Sequence, residues 1–114
     1  MMSFACKRIE LSELFRCSFE LNKTEYNVLQ NLLEKESPTT VSELSENMNL
    51  ERTTIQKALN SLLEKDLAMR MQENLRRGGY VFFYKPEDKD EIKRRLKNIS
   101  TDWFARVENE ISSW

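Results

Sequence analysis

One stretch of the sequence carries polar side chains of the types that hydrogen-bond with the edges of nucleic-acid bases. They follow Glu51 on an amphipathic segment and comprise Arg52, Thr53, Thr54, Gln56, Lys57 and Asn60. None of them is acidic. Arginine pairs with guanine and glutamine with adenine through two hydrogen bonds each, so this set has the chemistry to contact base edges. The alternative is an ordinary solvated helix face.

A second set of cations lies where the chain is expected to turn. Arg76 and Arg77 directly precede Gly78 and Gly79, the two glycines of the protein. Arginines at such a tip suit phosphate oxygens or a narrow minor groove, and contacts of this kind add affinity more than sequence preference. Arg70, upstream of the turn, is a weaker candidate. The alternative is that these side chains only make a loop soluble.

The residues that commonly perform catalysis are scarce. Histidine is absent, which removes the commonest general base and the imidazole metal ligand. No nucleophile can be paired with a base, and there is no glycine-rich phosphate loop. We therefore expect neither an enzyme nor a bound cofactor.

The two cysteines, Cys6 and Cys17, are too few for a structural zinc site within one chain. We expect no metal and free thiols, because the N-terminus lacks an apolar signal-peptide region and a reducing cytoplasm is the default. Their basic neighbours, Lys7, Arg8 and Arg16, leave a redox switch open beside the interpretation as inert fillers. Four thiols brought together by two chains would be needed for an intersubunit zinc site.

Charge is distributed unevenly along the chain. The formal net charge is −1, yet residues 51–85 carry seven basic and four acidic side chains, whereas residues 22–50 carry two and five. A basic segment inside a neutral protein is typical of a domain that presents one face to phosphate. The length of 114 residues leaves room for one domain, and no apolar run is long enough for a membrane helix.

Apolar periodicity upstream of Glu51 predicts three helices. Leucines and phenylalanines at helical spacing indicate a first helix over residues 9–20. Asn22 and Glu25 have the pattern of a capping box at the start of the second helix, which must end before Pro38.

A third, short helix is expected to begin after Thr40, which forms a second capping-box pattern with Glu43. Hydroxyl and amide groups at the start of a helix suit a phosphate, so Thr39 and Thr40 are further candidates for binding nucleic acid. Simple capping is the alternative and does not exclude the contact.

After the polar face the periodicity changes from helix to strand. Residues 67–72 alternate apolar and polar, and aromatic residues fill most of 80–84, so we predict a hairpin with the arginines and glycines at its tip. We expect Met69 and Met71 to fill the core, and the aromatic rings to cover it rather than stack on single-stranded bases. An apolar stripe over residues 87–114 predicts a long final helix.

The order of these elements is that of a winged helix-turn-helix, a mainly α fold with a small β-hairpin (α+β). Residues 21–86 resemble the winged-helix DNA-binding domain of TrmB-like and MarR-like transcriptional regulators of archaea and bacteria. The resemblance is carried by LNKTEYNVLQNLL, TVSELSENMNLERTTIQKALNSLLEKDLAMR and RRGGYVFFYKP. It implies that the helix after Glu51 is the recognition helix and that the hairpin is the wing. The large sugar-binding domain of full-length TrmB proteins is expected to be absent.

The two ends of the chain, residues 1–20 as an N-terminal helix and 87–114 as a C-terminal helix, are expected to form a homodimer. Their large apolar side chains exceed what one small domain can cover, and Phe4 adds to them. The assigned contacts are Phe15, Phe19, Leu96, Ile99, Trp103, Phe104, Val107, Ile111 and Trp114. The alternative is that the final helix packs back on its own domain.

Together these observations predict a cytoplasmic homodimer that binds double-stranded DNA sequence-specifically and regulates transcription without catalysis. A small-molecule or redox effector is left open, and no membrane partner is expected. The alternative is a winged-helix module that holds a protein partner within a larger complex. Phosphate binding separates the two, because a DNA-binding protein loses affinity steeply as salt rises.

Overall fold

The structure is a computed structural model, and it describes residues 2–114. The elements follow one another as β1 (Met2–Phe4), β2 (Lys7–Ile9), α1 (Leu11–Phe19), α2 (Lys23–Glu34), α3 (Val41–Met48), α4 (Arg52–Glu64), β3 (Ala68–Asn74), β4 (Tyr80–Pro86) and α5 (Lys89–Ser113). β1 pairs with β2 and β3 with β4, each pair antiparallel. The predicted α+β class, mainly helical with a small hairpin, is confirmed.

The chain divides into two compact units instead of one. One unit is Asn22–Glu87, and the other joins the chain up to Leu21 to Asp88–Trp114. The first unit holds α2, α3, α4 and the β3–β4 hairpin, which is the full set of winged-helix elements. Its buried side chains include Leu29, Leu32, Leu44, Ile55, Leu59, Leu62 and Leu67.

The start of α2 forms as expected. The Asn22 side chain accepts a hydrogen bond from the Glu25 amide at 2.8 Å, and the Glu25 carboxylate accepts one from the Asn22 amide at 2.7 Å. At α3 only half of the predicted capping box forms. The Thr40 hydroxyl accepts from the Glu43 amide, but the Glu43 carboxylate instead accepts from the Thr39 hydroxyl at 2.7 Å.

A tight turn separates α3 from α4. Asn49 ends α3 with φ 53°, in the left-handed region that asparagine tolerates better than most residues. The Ser45 hydroxyl donates to the carbonyl of Leu50 and closes the turn. α4 then begins at Arg52 and buries Ile55 and Leu59 toward α2 and α3. The predicted helix-turn-helix is therefore present.

The wing, Ala68–Pro86, is a regular hairpin with a five-residue loop. Gly78 (φ 89°) and Gly79 (φ 79°) both adopt positive φ in this loop, where glycine avoids the strain of a side chain. β3 runs to Asn74, two residues beyond the predicted strand. Met69 and Met71 are exposed, so the prediction that they fill the core is wrong, because their face of β3 is not covered.

The other unit departs most from expectation. Residues 2–9 form two short strands around a turn at Ala5 (φ 38°), so the predicted N-terminal helix begins only at Leu11 and Phe4 lies in a strand. Phe15 and Phe19 of α1 are buried, with their ring centroids 4.9 Å apart. Within this unit α1 packs against α5.

The final helix is continuous from Lys89 to Ser113. Ser100 and Thr101, which could have interrupted it, donate their hydroxyls to the carbonyls of Leu96 and Lys97, both at 2.9 Å. An ion pair between Glu91 and Arg94 braces its first turns and lowers the pKa of the Glu91 carboxyl through the hydrogen bond from Arg94. Among residues 2–114, no helix combines the length and apolar character needed to span a membrane.

Candidate nucleic-acid interface

The polar face of α4 is open to solvent along its first two turns. Arg52, Thr53, Lys57 and Asn60 are exposed, and Thr54 and Gln56 are half-buried. The opposite face of the helix is fixed in the core, which orients this face outward. All six side chains predicted to contact base edges are therefore displayed together on one element.

Gln56 is held by the wing. Its Nε2 donates to Asn60 Oδ1 at 3.0 Å and to the hydroxyl of Tyr84 at 3.3 Å. Since both amide protons are used, the two-bond pairing with adenine expected from the sequence would require Gln56 to give up one of these bonds.

Tyr84 is a functional residue that sequence reasoning missed. Its side chain is 1% exposed and belongs to β4, and its backbone exchanges hydrogen bonds with Thr39 at 2.9 and 2.7 Å. It thus joins β4, the entry to α3 and the polar face of α4. The sequence signal was an aromatic residue ending a strand-like run, which predicts burial but not this partner.

The two threonines at the start of α3 have different outcomes. Thr39 is 1% exposed and its hydroxyl is bonded to Glu43, so the prediction that it contacts phosphate is wrong. Its backbone pairing with Tyr84 draws it into the core. Thr40 is half-buried and caps α3, the alternative role expected for it.

The tip of the wing displays its cations freely. Arg76 and Arg77 are exposed, and neither has a hydrogen-bond or ion-pair partner within residues 2–114. Arg70 is also exposed, and its guanidinium lies over the ring of Phe82, 4.3 Å from the ring centroid.

A groove of about 190 Å³ lies between the start of α2 and α4, lined by Asn22, Thr24, Glu25, Thr54, Lys57 and Ala58. Partial burial disfavours ionisation of Glu25, but hydrogen bonds with Ser61 and the Asn22 amide, together with the charge of Lys65, outweigh it and lower the pKa of this carboxyl. Glu25 therefore ties α2 to α4 as a carboxylate beneath the polar face.

The comparisons with known proteins place this geometry in a family. A family model described as "Sugar-specific transcriptional regulator TrmB" matches residues 15–90, which is most of the chain. This chain belongs to the TrmB family. The predicted resemblance is confirmed, and the TrmB family is one of transcriptional regulators and not of enzymes.

Archaeal relatives match this TrmB-family chain along nearly its whole length. A possible transcriptional regulator from Methanosarcina mazei Go1 has 32% identity and a TM-score of 0.90, covering 100% of this chain and 96% of its own. The uncharacterized protein MJ1082 of Methanocaldococcus jannaschii is 33% identical over 101 residues, 89% of this chain and 82% of the relative.

More distant structures share the fold. Staphylococcus aureus MarR in complex with salicylate and kanamycin has a TM-score of 0.57 at 17% identity, over 91% of this chain and 66% of its own. A mutant of S. aureus MepR bound to an oligodeoxyribonucleotide has a TM-score of 0.58 at 16% identity, over 90% and 71%. These likenesses confirm the winged-helix fold of the TrmB-family chain.

The residues predicted to form a dimer of this TrmB-family protein separate into two groups. Phe15 and Phe19 are 9% and 6% exposed, so the prediction that they offer an apolar surface to a partner is wrong, because they pack on each other in the core of their unit. In α5 the apolar side chains are displayed instead. Leu96, Ile99 and Val107 are half-buried, and Trp103, Phe104, Ile111 and Trp114 are exposed.

The cysteines of this TrmB-family protein, Cys6 and Cys17, are both exposed and free. Cys6 lies in the turn between β1 and β2, and Cys17 lies on α1. Within the described part of the chain, no group of three or more cysteine or carboxylate side chains is arranged to hold a metal ion.

Proposed function

We propose that this chain binds double-stranded DNA sequence-specifically and regulates transcription as a homodimer. The observation that carries the proposal is the shared placement of an acid-free polar face on α4 and an exposed basic wing tip within one compact unit. A helix in the major groove with a wing beside it is a common way for this arrangement to engage a duplex.

In this proposal α4 reads sequence. Arg52 and Lys57 are exposed cations in the first two turns, where recognition helices meet base edges. Arg52 is suited to guanine, and Thr53 and Asn60 add hydrogen-bonding groups of either kind. Gln56, held by Tyr84, presents its Oε1 acceptor toward an exocyclic amino group.

The wing supplies affinity. Arg76 and Arg77 project from a loop whose two glycines permit a tight reversal of the chain. With no partner inside residues 2–114, both guanidinium groups are available to phosphate oxygens. Contacts with phosphate do not depend on sequence, so the wing would bind a native and a scrambled duplex alike.

The proposed dimer is formed by α5. Trp103 and Phe104 are 59% and 56% exposed and Ile111 is 67% exposed, which is an unusual amount of apolar surface for one helix to leave in water. A two-fold partner would cover these side chains and place two recognition helices roughly one turn of DNA apart, matching a pseudo-palindromic site.

The comparisons support the proposal through the family and the fold. TrmB-family membership supports regulation of transcription, and the MepR structure contains a bound oligodeoxyribonucleotide on the same fold. The sugar specificity in the family's description belongs to that description, and we do not extend it to this chain.

The test is fluorescence anisotropy with a labelled duplex from upstream of the protein's own gene and a scrambled duplex. We expect the native duplex to bind more tightly, and Arg52→Ala to remove about 1–3 kcal/mol of that preference. Lys93→Ala, an exposed charge change on α5, is the matched control and should leave the preference intact.

Two outcomes would contradict the proposal. Equal binding of both duplexes, repeated with pooled genomic fragments, would remove sequence-specific recognition. An absence of duplex binding near physiological salt would favour a protein-interaction module instead, since that function requires no affinity for phosphate.

A further inference from the structure

One face of the wing differs from the other in charge and aromatic content. The register pairs Arg70 with Tyr84, Gln72 with Phe82 and Asn74 with Tyr80, and cross-strand partners share a face. This face, which we call the aromatic face of the wing, therefore carries Arg70, Gln72, Asn74, Tyr80, Phe82 and Tyr84 and no carboxylate. Glu73, the one acidic residue of the two strands, lies on the opposite face.

Arg70 on this face is held by a ring and not by an acid. Its direct cross-strand neighbour is Tyr84, but its guanidinium lies over Phe82, the diagonal neighbour nearer the tip, at 4.3 Å from the ring centroid. Within residues 2–114 no hydrogen bond or ion pair engages Arg70. A guanidinium stacked on a ring keeps its N–H donors at its edge, where they remain available to an anion.

Phe82 is itself supported. Its ring centroid lies 5.1 Å from that of Tyr80 with the planes tilted by 58°, a favourable geometry for two aromatic rings. Phe82 is half-buried while Tyr80 is 58% exposed, so the pair forms a ledge beneath Arg70. Tyr84 on the same face bonds to Gln56 of α4, which places this face on the side of the wing that meets the recognition helix.

We propose that Phe82 is a positioning residue that holds Arg70 in place to bind a phosphate of the DNA backbone. The proposal rests on the proposed function and deepens it, because it extends the phosphate-binding surface from the tip along β3. Phosphate suits the site because the face carries a cation with free donors and no carboxylate. A flexible arginine would lose side-chain freedom on binding, and stacking on Phe82 reduces that loss.

The experiment measures duplex affinity across a salt series for the full chain and its variants. Arg70→Ala should flatten the slope of log affinity against log salt by about 0.9, which corresponds to one phosphate contact. Phe82→Leu keeps an apolar side chain but removes the ring, and it should weaken binding by about two- to tenfold. Phe82→Trp restores a ring and should bind as the native protein does.

A double-mutant cycle separates positioning from a purely structural role. If Phe82 acts through Arg70, Phe82→Leu should have no further effect once Arg70 is alanine. An equal loss in both backgrounds would overturn the proposal, because Phe82 would then act only through the fold. Arg70→Lys tests the same idea without altering the ring: it keeps the charge, loses the planar fork and should become less sensitive to Phe82→Leu.

The outcomes distinguish this inference from the function on which it rests. If the native protein binds no duplex at any salt concentration, the proposed function fails. If the native protein binds but Arg70→Ala leaves both affinity and salt slope unchanged, this inference alone is overturned. Thermal unfolding of each variant establishes that the compared proteins are folded at the temperature of the measurement.

Discussion

The hydroxyl of Tyr84, on the last strand of the wing, lies 3.3 Å from Nε2 of Gln56 on the polar face of α4. The two residues are 28 positions apart in sequence and belong to the two elements proposed to contact DNA. Tyr84 is buried and also pairs through its backbone with Thr39, so the bond anchors Gln56 to a fixed point. The geometry of the recognition helix therefore depends on a residue that is itself hidden from DNA.

Tyr84→Phe removes this bond and retains the buried ring. We expect the fold to persist with a loss of about 1 kcal/mol of stability, and the preference for a native over a scrambled duplex to fall about two- to tenfold. The salt slope should not change, because no charge is altered. Tyr80→Phe, a change at an exposed tyrosine on the same strand, is the control. Unchanged discrimination in Tyr84→Phe would show that the bond does not position Gln56.

Gly78 tests the conformation of the wing tip. No atom would lie within 4 Å of a Cβ at this position, so Gly78→Ala should act through the strain of positive φ and not through a clash. We expect the free energy of unfolding to decrease by about 1–2 kcal/mol. Gly78→Asn should cost less because asparagine tolerates this region better. Equal stability of the alanine variant and the native protein, measured by urea unfolding, would contradict the turn geometry.

Glu25 gives a pH dependence of defined sign. Its pKa in the folded protein is lowered from the ordinary 4.5, so its contribution to stability is complete above that value and is lost as the pH falls through the lower, folded pKa. Glu25→Ala should reduce stability at pH 7 by about 0.5–2 kcal/mol through loss of the capping box. Its difference from the native protein should shrink in acid. Glu36→Ala, at an exposed site after α2, should have little effect at either pH. A deficit that does not vary with pH would contradict the assignment.

The α5 surface gives a prediction about assembly. Ile111→Glu places a charge in the exposed apolar stripe and should shift the protein from dimer to monomer in sedimentation at micromolar concentration, because a buried unpaired charge is costly. Lys97→Glu, also exposed on α5, is the control and should remain dimeric. Both variants should keep their helical circular dichroism. A native protein that sediments as a monomer would contradict the proposed dimer.

The features that sequence predicts well are those settled by near neighbours along the chain. Asn22 and Glu25 are three positions apart, and their capping box requires no tertiary contact. Gly78 and Gly79 occupy positive φ because of the loop itself. The helix-turn-helix and the wing follow from periodicities that each element carries alone, so the family resemblance could be reached before the structure was known.

The features that sequence predicts poorly depend on distant partners. Thr39 has the position of a phosphate ligand, but its backbone pairs with Tyr84, 45 residues away, and this pairing buries it. Phe15 and Phe19 have a pattern that fits a core and an interface equally, and only their contact with each other decides for the core. Residues 2–9 lack helical periodicity, and their pairing as strands becomes evident only from the register.

The most direct test of the central claim is the salt dependence of duplex binding by the native protein and by Arg76→Ala/Arg77→Ala. We expect the native protein to lose affinity steeply as salt rises, and the wing variant to show a slope flatter by up to about 1.8, about 0.9 for each lost phosphate contact. Lys93→Ala/Lys97→Ala, which removes two exposed charges from α5, should keep the native slope. Identical slopes for the native protein and the wing variant, or no duplex affinity even at low salt, would contradict the claim that this unit binds DNA through its wing and recognition helix.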